Sequence, residues 1–169
     1  MVHERVQGLG QRGYSLAEIM VAVAVVGVLF AASAPSFISY WRAAATRAAA
    51  RELTAALNHG RQLAIARNCS VRVMTNGAGS LRFFDPGVTC NPTLAPPGAP
   101  ADGFWRGPGT DGMGWMRIAN DIQLTGPGVD VAFTNLGAAV PGGVFTVRNP
   151  IDSQQLTVTV AASGRITTP

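Results

Sequence analysis

From Ile19 to Trp41 the chain carries 23 consecutive residues without a charge. At about 1.5 Å per residue a helix of that length spans about 35 Å, enough to cross a hydrocarbon core of about 30 Å. The pattern then changes. Ala43 to Ala50 is rich in alanine, and Ala50, Leu53, Leu57 and Ala64 recur at helical spacing, which predicts a helix continuing to about Arg67. Its apolar stripe is expected to seat the rest of the chain, with Arg47, Arg51 and Arg61 on the opposite, exposed side. After Cys69 the period shortens to two. Ser70 to Thr75, the turn Asn76-Gly77-Ala78-Gly79 and Ser80 to Phe84 read as a β-hairpin, because Asn-Gly supplies the left-handed conformation that a tight turn needs. Further alternation in Val129 to Phe133, Val144 to Val147 and Leu156 to Val160, the last turning at Ser163-Gly164 into Arg165 to Thr167, predicts more short strands. One long helix followed by short strands makes the fold class α+β, with a β-rich head of two sheets or a sandwich.

Composition changes this picture in three places. Residues 85–114 hold six Pro and seven Gly, which predicts an irregular connection long enough to carry a function. Its bulky aromatics, Phe104 and Trp105, either fold back on the core or meet another chain. The roughly 100 residues of the head suffice for one small core, not two. The formal charge of +4 comes from 13 arginines with no lysine, a bias read as genomic. On the long helix those arginines read as a solvated face, or as contacts to lipid headgroups, neighbouring chains or nucleic acid.

Glu18 is the anomaly of the N-terminal segment. A carboxylate within a bilayer costs roughly 2.5 to 3.5 kcal/mol near the centre, less near the interface, and is retained where a partner meets it. It lies at the head of the apolar run in Arg12-Gly13-Tyr14-Ser15-Leu16-Ala17-Glu18. That stretch resembles the type III signal of type IV pilins and type II secretion pseudopilins. The resemblance implies that residues 1–13 are a leader, cut after Gly13 by a prepilin peptidase that then methylates the new terminus, Tyr14. It also implies that Glu18 pairs with the terminal ammonium of a neighbouring subunit, and that Pro35 bends the helix. Residues 14–41 would be the transmembrane and assembly helix, 42–68 its periplasmic half, and 69–169 the head. The short basic leader stays cytoplasmic, which places the head in the periplasm of a single-pass inner-membrane protein. There Cys69 and Cys90 face an oxidising compartment. A disulfide between them would close a loop of about 20 residues and contribute on the order of 3 kcal/mol; the other reading is two free buried thiols.

The head carries a resemblance of its own. Gly114-Trp115-Met116-Arg117-Ile118-Ala119-Asn120-Asp121, the helix end at Ala64 to Asn68, the hairpin that follows and Ser163-Gly164-Arg165-Ile166 are similar to the GspH/FimT family. The resemblance thins through residues 85–113. It implies a pilin-like fold and a minor pseudopilin that helps to initiate or cap the filament of a type II secretion system. Its partners would be the prepilin peptidase, other pseudopilins or pilins, and inner-membrane lipid. One alternative is a FimT/FimU-like minor pilin of a type IV pilus acting in pilus assembly or DNA uptake. DNA-binding members carry a Gly-Arg-x-Arg pattern, whereas this chain reads Gly164-Arg165-Ile166-Thr167 and matches one arginine of two, so DNA is the weakest partner. An alternative of another class is a soluble periplasmic binding domain released by Sec cleavage at Ala32-Ser33-Ala34. Glu18 and Pro35, directly after that site, speak against it.

Catalytic signals are poor. Gly107-Pro108-Gly109-Thr110-Asp111-Gly112 matches G-x-G-x-x-G formally but lacks the preceding strand and following helix that hold a phosphate. Asp102, Asp111 and Asp121 are too far apart for a calcium loop, and His59 with Cys69 makes no credible catalytic pair. The reading is therefore no enzyme, no cofactor and no metal.

Overall fold

A computed structural model describes residues 13–85, 102–118, 122–151 and 153–168. The element order is α1 (Leu16–Arg67), β1 (Val71–Thr75), β2 (Ser80–Phe84), β3 (Met116–Arg117), β4 (Gln123–Thr125), β5 (Val131–Phe133), β6 (Gly143–Arg148), β7 (Gln155–Val160) and β8 (Ile166–Thr167). The chain divides into two compact units between Ser39 and Tyr40.

In the first unit the helix begins one residue after Ser15. The Glu18 amide donates to the Ser15 hydroxyl at 3.3 Å and to its carbonyl at 3.1 Å. Ser15 is thus an N-cap, satisfying one of the amides a helix start leaves unpaired. Side chains from Leu16 to Ser39 are exposed, and the helix runs through Pro35 without a break. The segment is long and apolar enough to cross a membrane.

In the second unit the helix presents Ala49, Ala50, Leu53, Ala56, Leu57, Leu63 and Ala64 to one buried cluster. The predicted stripe is thus the buried face, and full burial of Leu53 and Leu57 stabilises by about 1.5 to 3 kcal/mol each. The helix ends at the expected place for a local reason. Asn68 adopts φ 51°, its amide reaches the Ile65 carbonyl, and the Cys69 amide reaches the Ala64 carbonyl. These two bonds form a Schellman cap, in which asparagine tolerates the left-handed conformation.

The strands form two antiparallel four-stranded sheets, ordered β3-β2-β1-β5 and β4-β6-β7-β8. The hairpin pairs Thr75 with Leu81 and Arg72 with Phe84. Asn76 closes it, its side-chain oxygen accepting the amides of Ala78 and Ser80. Val71, Val73, Leu81, Phe83, Val131 and Phe133 of the first sheet share a core with Leu124, Phe145, Val147, Val158 and Val160 of the second. Helix and first sheet meet closely at Gly60, where a Cβ would lie 2.6 Å from the Phe83 ring.

Three expectations need correction. The periodicity missed β4, whose three residues give one buried side chain, Leu124, too few to show a period. Residues 86–101 of the Pro/Gly-rich segment lie outside the described residues, and from Asp102 on it is less irregular than its composition predicts. Asp85 and Trp105 donate amides to Gly103 and Phe83, and Phe104 bridges Phe84, which extends the first sheet beyond β2. Phe104 and Trp105 both fold back: Phe104 onto Phe84 at 5.5 Å, Trp105 onto the core beside Phe83. Arg61 is not on the solvated face, since its Nε donates to the Gly137 carbonyl at 2.8 Å. At 100° per residue it lies only about 40° from Leu57, so the buried stripe carries it along its flank.

Candidate functional site

The first candidate site is the helix start. A Cβ added at Gly13 would meet nothing within 4 Å and Tyr14 is 78% exposed, so nothing among the described residues covers the junction between them. Ser15 caps the helix and places Glu18 in its first turn. There the unpaired amides carry partial positive charge, and a carboxylate gains about 0.3 to 1 kcal/mol. Glu18 is exposed at the head of an apolar helix whose side chains are likewise exposed. The arrangement offers a negative charge and a long apolar surface to anything that packs alongside. Residues 1–12 lie outside the described residues.

On the head, Cys69 is 4% exposed and is not a free thiol. Cys90, its expected partner, lies outside the described residues. The Arg67 guanidinium stands 3.8 Å from the Asp85 carboxylate, holding the end of the hairpin to the helix C-terminus.

The segment from Asp102 covers the outer face of the first sheet. Extending the β2–β3 register places Trp115 opposite Arg82. The Arg82 guanidinium lies 3.8 Å from the Phe104 ring centre and 4.3 Å from that of Trp115, a cation between two π faces. On the other side of the strand His59 stacks edgewise against Trp105 at 4.7 Å and Phe83 at 5.8 Å. Its place among rings is a packing role. The Gly107–Gly112 stretch is a turn closed on itself, with Thr110 donating amide and hydroxyl to the Gly107 carbonyl. Among the described residues no group of three or more His, Cys, Asp or Glu converges on a metal-sized site.

Asp102 and Arg106 form a two-pronged ion pair, at 2.6 and 3.1 Å. The Arg106 hydrogen bonds, then the Phe104 amide, hold the Asp102 carboxyl below its usual range. A depressed carboxyl favours the folded loop above the ordinary carboxylate pKa and loses that contribution as pH falls through the depressed value. The expected result is an Asp102 carboxyl resonance that titrates below the ordinary aspartate range and returns toward it in Arg106→Gln. An unchanged midpoint in the variant refutes the assignment.

The basic groups of the second sheet are dispersed. Gly143 pairs with Val160 and Arg148 with Gln155, while Arg165 lies beyond the far end of β7, its carbonyl accepting the Ala161 amide. Arg148 and Arg165 are thus separated by about six residues of strand, roughly 20 Å, and form no common patch.

Comparison with known proteins gives two family models. One, described as type II transport protein GspH, matches residues 49–164. The other, described as a prokaryotic N-terminal methylation motif, matches residues 9–34. The solved structures similar to this chain include the type IV minor pilin FimU of Pseudomonas aeruginosa, 18% identical over 73% of this chain and 87% of that one, with a TM-score of 0.49. The minor pseudopilin EpsH from the type 2 secretion system of Vibrio cholerae is 14% identical over 71% of this chain and 92% of that one, also with a TM-score of 0.49. No curated protein sequence matches.

Proposed function

Because the chain belongs to the GspH family, whose members are minor pseudopilin or minor pilin subunits, we propose that it is a minor pseudopilin of a type II secretion system. In this reading it is a structural, non-enzymatic subunit that helps to initiate or cap a periplasmic filament. The observation that carries the proposal is the helix start: a capped first turn with an exposed carboxylate opening an exposed apolar helix, within the N-terminal methylation motif. A prepilin peptidase cuts after Gly13 and methylates Tyr14. The helix is stored in the inner membrane with the head in the periplasm. It leaves the bilayer when helix packing and pairing of Glu18 with a neighbour's terminal ammonium offset the lost lipid contact.

Sequencing the mature N-terminus by mass spectrometry tests this. N-methyl-Tyr14 is expected, whereas a chain beginning at Pro35 means Sec release of a soluble domain and overturns the reading. Loss of secretion, with pili unaffected, in a strain lacking the chain separates the pseudopilin from a pilus subunit.

In the periplasm Cys69 pairs with Cys90 in this proposal. Peptide mapping of the non-reduced chain should give one linked pair, and Cys69→Ser with Cys90→Ser should lower stability by about 3 kcal/mol. Two alkylatable thiols in the native protein defeat it.

DNA is not assigned as a partner. Duplex affinity comes from several phosphates neutralised together, and dispersed arginines supply only the nonspecific range of ~10⁻⁴ to 10⁻⁶ M at physiological salt. Submicromolar binding of duplex DNA by the full chain, abolished by Arg165→Ala, counts for DNA uptake instead.

A further inference from the structure

Among the described residues, the last strand of the second sheet leaves part of an edge open. β8 pairs with β7 only at Thr159 and Val160, opposite Thr167 and Ile166. The Ala161 amide donates to the Arg165 carbonyl, so the odd-numbered residues of β7 turn their backbone groups to the β8 side. On the opposite side the even-numbered Gln154 carbonyl takes the Asn149 amide. The amides and carbonyls of Gln155 and Thr157 therefore face outward; the register sets Thr157 opposite Pro169, which lies outside the described residues, and among the described residues no strand pairs with either. Proteins ordinarily close such edges. The first sheet does so at β5, where Val140 donates to the Ala132 carbonyl and Ala139 bridges Phe133.

Alongside this edge run two adjoining depressions of about 180 and 210 Å³. Ala43, Thr46, Arg47, Gln154, Gln155 and Leu156 line the first; Arg47, Ala50, Arg51, Leu156 and Thr168 line the second. The half-buried Leu156 is common to both. Arg47 and Arg51 are exposed and make no ion pair or side-chain hydrogen bond among the described residues, and no carboxylate lines either depression. The site thus combines strand backbone unpaired among the described residues, one apolar side chain and two positive charges.

We propose that the open edge of β7, with Arg47 and Arg51, docks an extended acidic segment of another polypeptide chain. That segment adds a strand to the second sheet. Its backbone completes the ladder at Gln155 and Thr157, an apolar side chain covers Leu156, and carboxylates meet the arginines. Strand addition draws affinity from main-chain hydrogen bonds and specificity from alternate side chains. A lipid headgroup would use the arginines alone and leave the strand edge unsatisfied.

The test uses the full ¹⁵N-labelled chain in detergent micelles, titrated with acetyl-Asp-Val-Thr-Val-Asp-Val-Thr-amide and with its Lys-for-Asp counterpart. The acidic peptide should shift the Gln155 and Thr157 amides and slow their hydrogen exchange at least tenfold. The double variant Arg47→Glu, Arg51→Glu should weaken binding at least tenfold. Thr157→Pro removes an outward donor while leaving the β6 ladder intact and should do the same. If that variant fails to fold, the exposed arginine pair still decides. The proposal is overturned if the Lys peptide binds equally well, if the acidic peptide fails to bind, or if it binds without affecting Gln155 and Thr157. It is also overturned if phosphatidylglycerol vesicles engage Arg47 and Arg51 more tightly than the peptide while those two amides exchange freely.

Discussion

Glu18→Val should give a chain that is cut after Gly13 and methylated like the parent, yet is missing from filaments. The local helix hardly depends on this side chain. The cap is made by the Ser15 hydroxyl and the Glu18 backbone amide, both kept in the variant, and the lost first-turn charge costs only about 0.3 to 1 kcal/mol. The larger effect belongs to assembly, where under the proposed pairing the carboxylate meets a terminal ammonium taken out of water. Removing one member of such a pair costs about 3 to 5 kcal/mol because the other charge stays buried alone. At 1.36 kcal/mol per decade that is a loss of at least ~100-fold in incorporation. A bulky residue at Gly13 should act one step earlier, leaving the uncut precursor in the inner membrane. Comparing sheared filaments with the membrane fraction by immunoblot, with the N-terminus of each read by mass spectrometry, distinguishes the two failures. Normal incorporation of Glu18→Val would sink the pairing.

Gly164→Ala should unfold the head more readily than its small added volume suggests. Gly164 has φ +76°, and a Cβ there would clash with the Gly137 carbonyl oxygen and lie 3.2 Å from Arg61 Nε. That carbonyl is the acceptor of the Arg61 guanidinium, and the neighbouring Ala139 amide donates to Ala162. The turn before β8, the loop after β5 and the helix are therefore tied at one point. The substitution adds roughly 1 to 2 kcal/mol of left-handed backbone strain. Displacing the carbonyl weakens a hydrogen bond to a charged group, commonly about 1.5 to 3 kcal/mol. Together this is about 3 kcal/mol, or about 10 °C in Tm for a unit of this size. Gly112→Ala is the control, since nothing lies within 4 Å of its added Cβ, and it should stay within about 0.5 kcal/mol. Thermal unfolding followed by near-ultraviolet circular dichroism measures both; equal melting of the two variants would refute the tie.

Local chemistry determined the elements whose cause is local. The uncharged run, the stripe through Leu53 and Leu57 and the helix end at Asn68 follow from composition and a 3.6-residue period, and the hairpin from Asn76-Gly77 between alternating strands. The candidate processing site is contiguous in the sequence and so was legible there too. Tertiary structure alone decided what depends on distant partners. Arg61 reads as solvated until the Gly137 carbonyl, 76 residues away, arrives at its Nε. Arg82 meets Phe104 and Trp115 only because strand register and a turned-back segment bring them together. The open edge of β7 has no sequence signal, because whether a strand is flanked on both sides is a property of sheet order. A helix closes its hydrogen bonds within a few residues, whereas a strand leaves all of its backbone groups, half on each side, to whatever the fold places beside it.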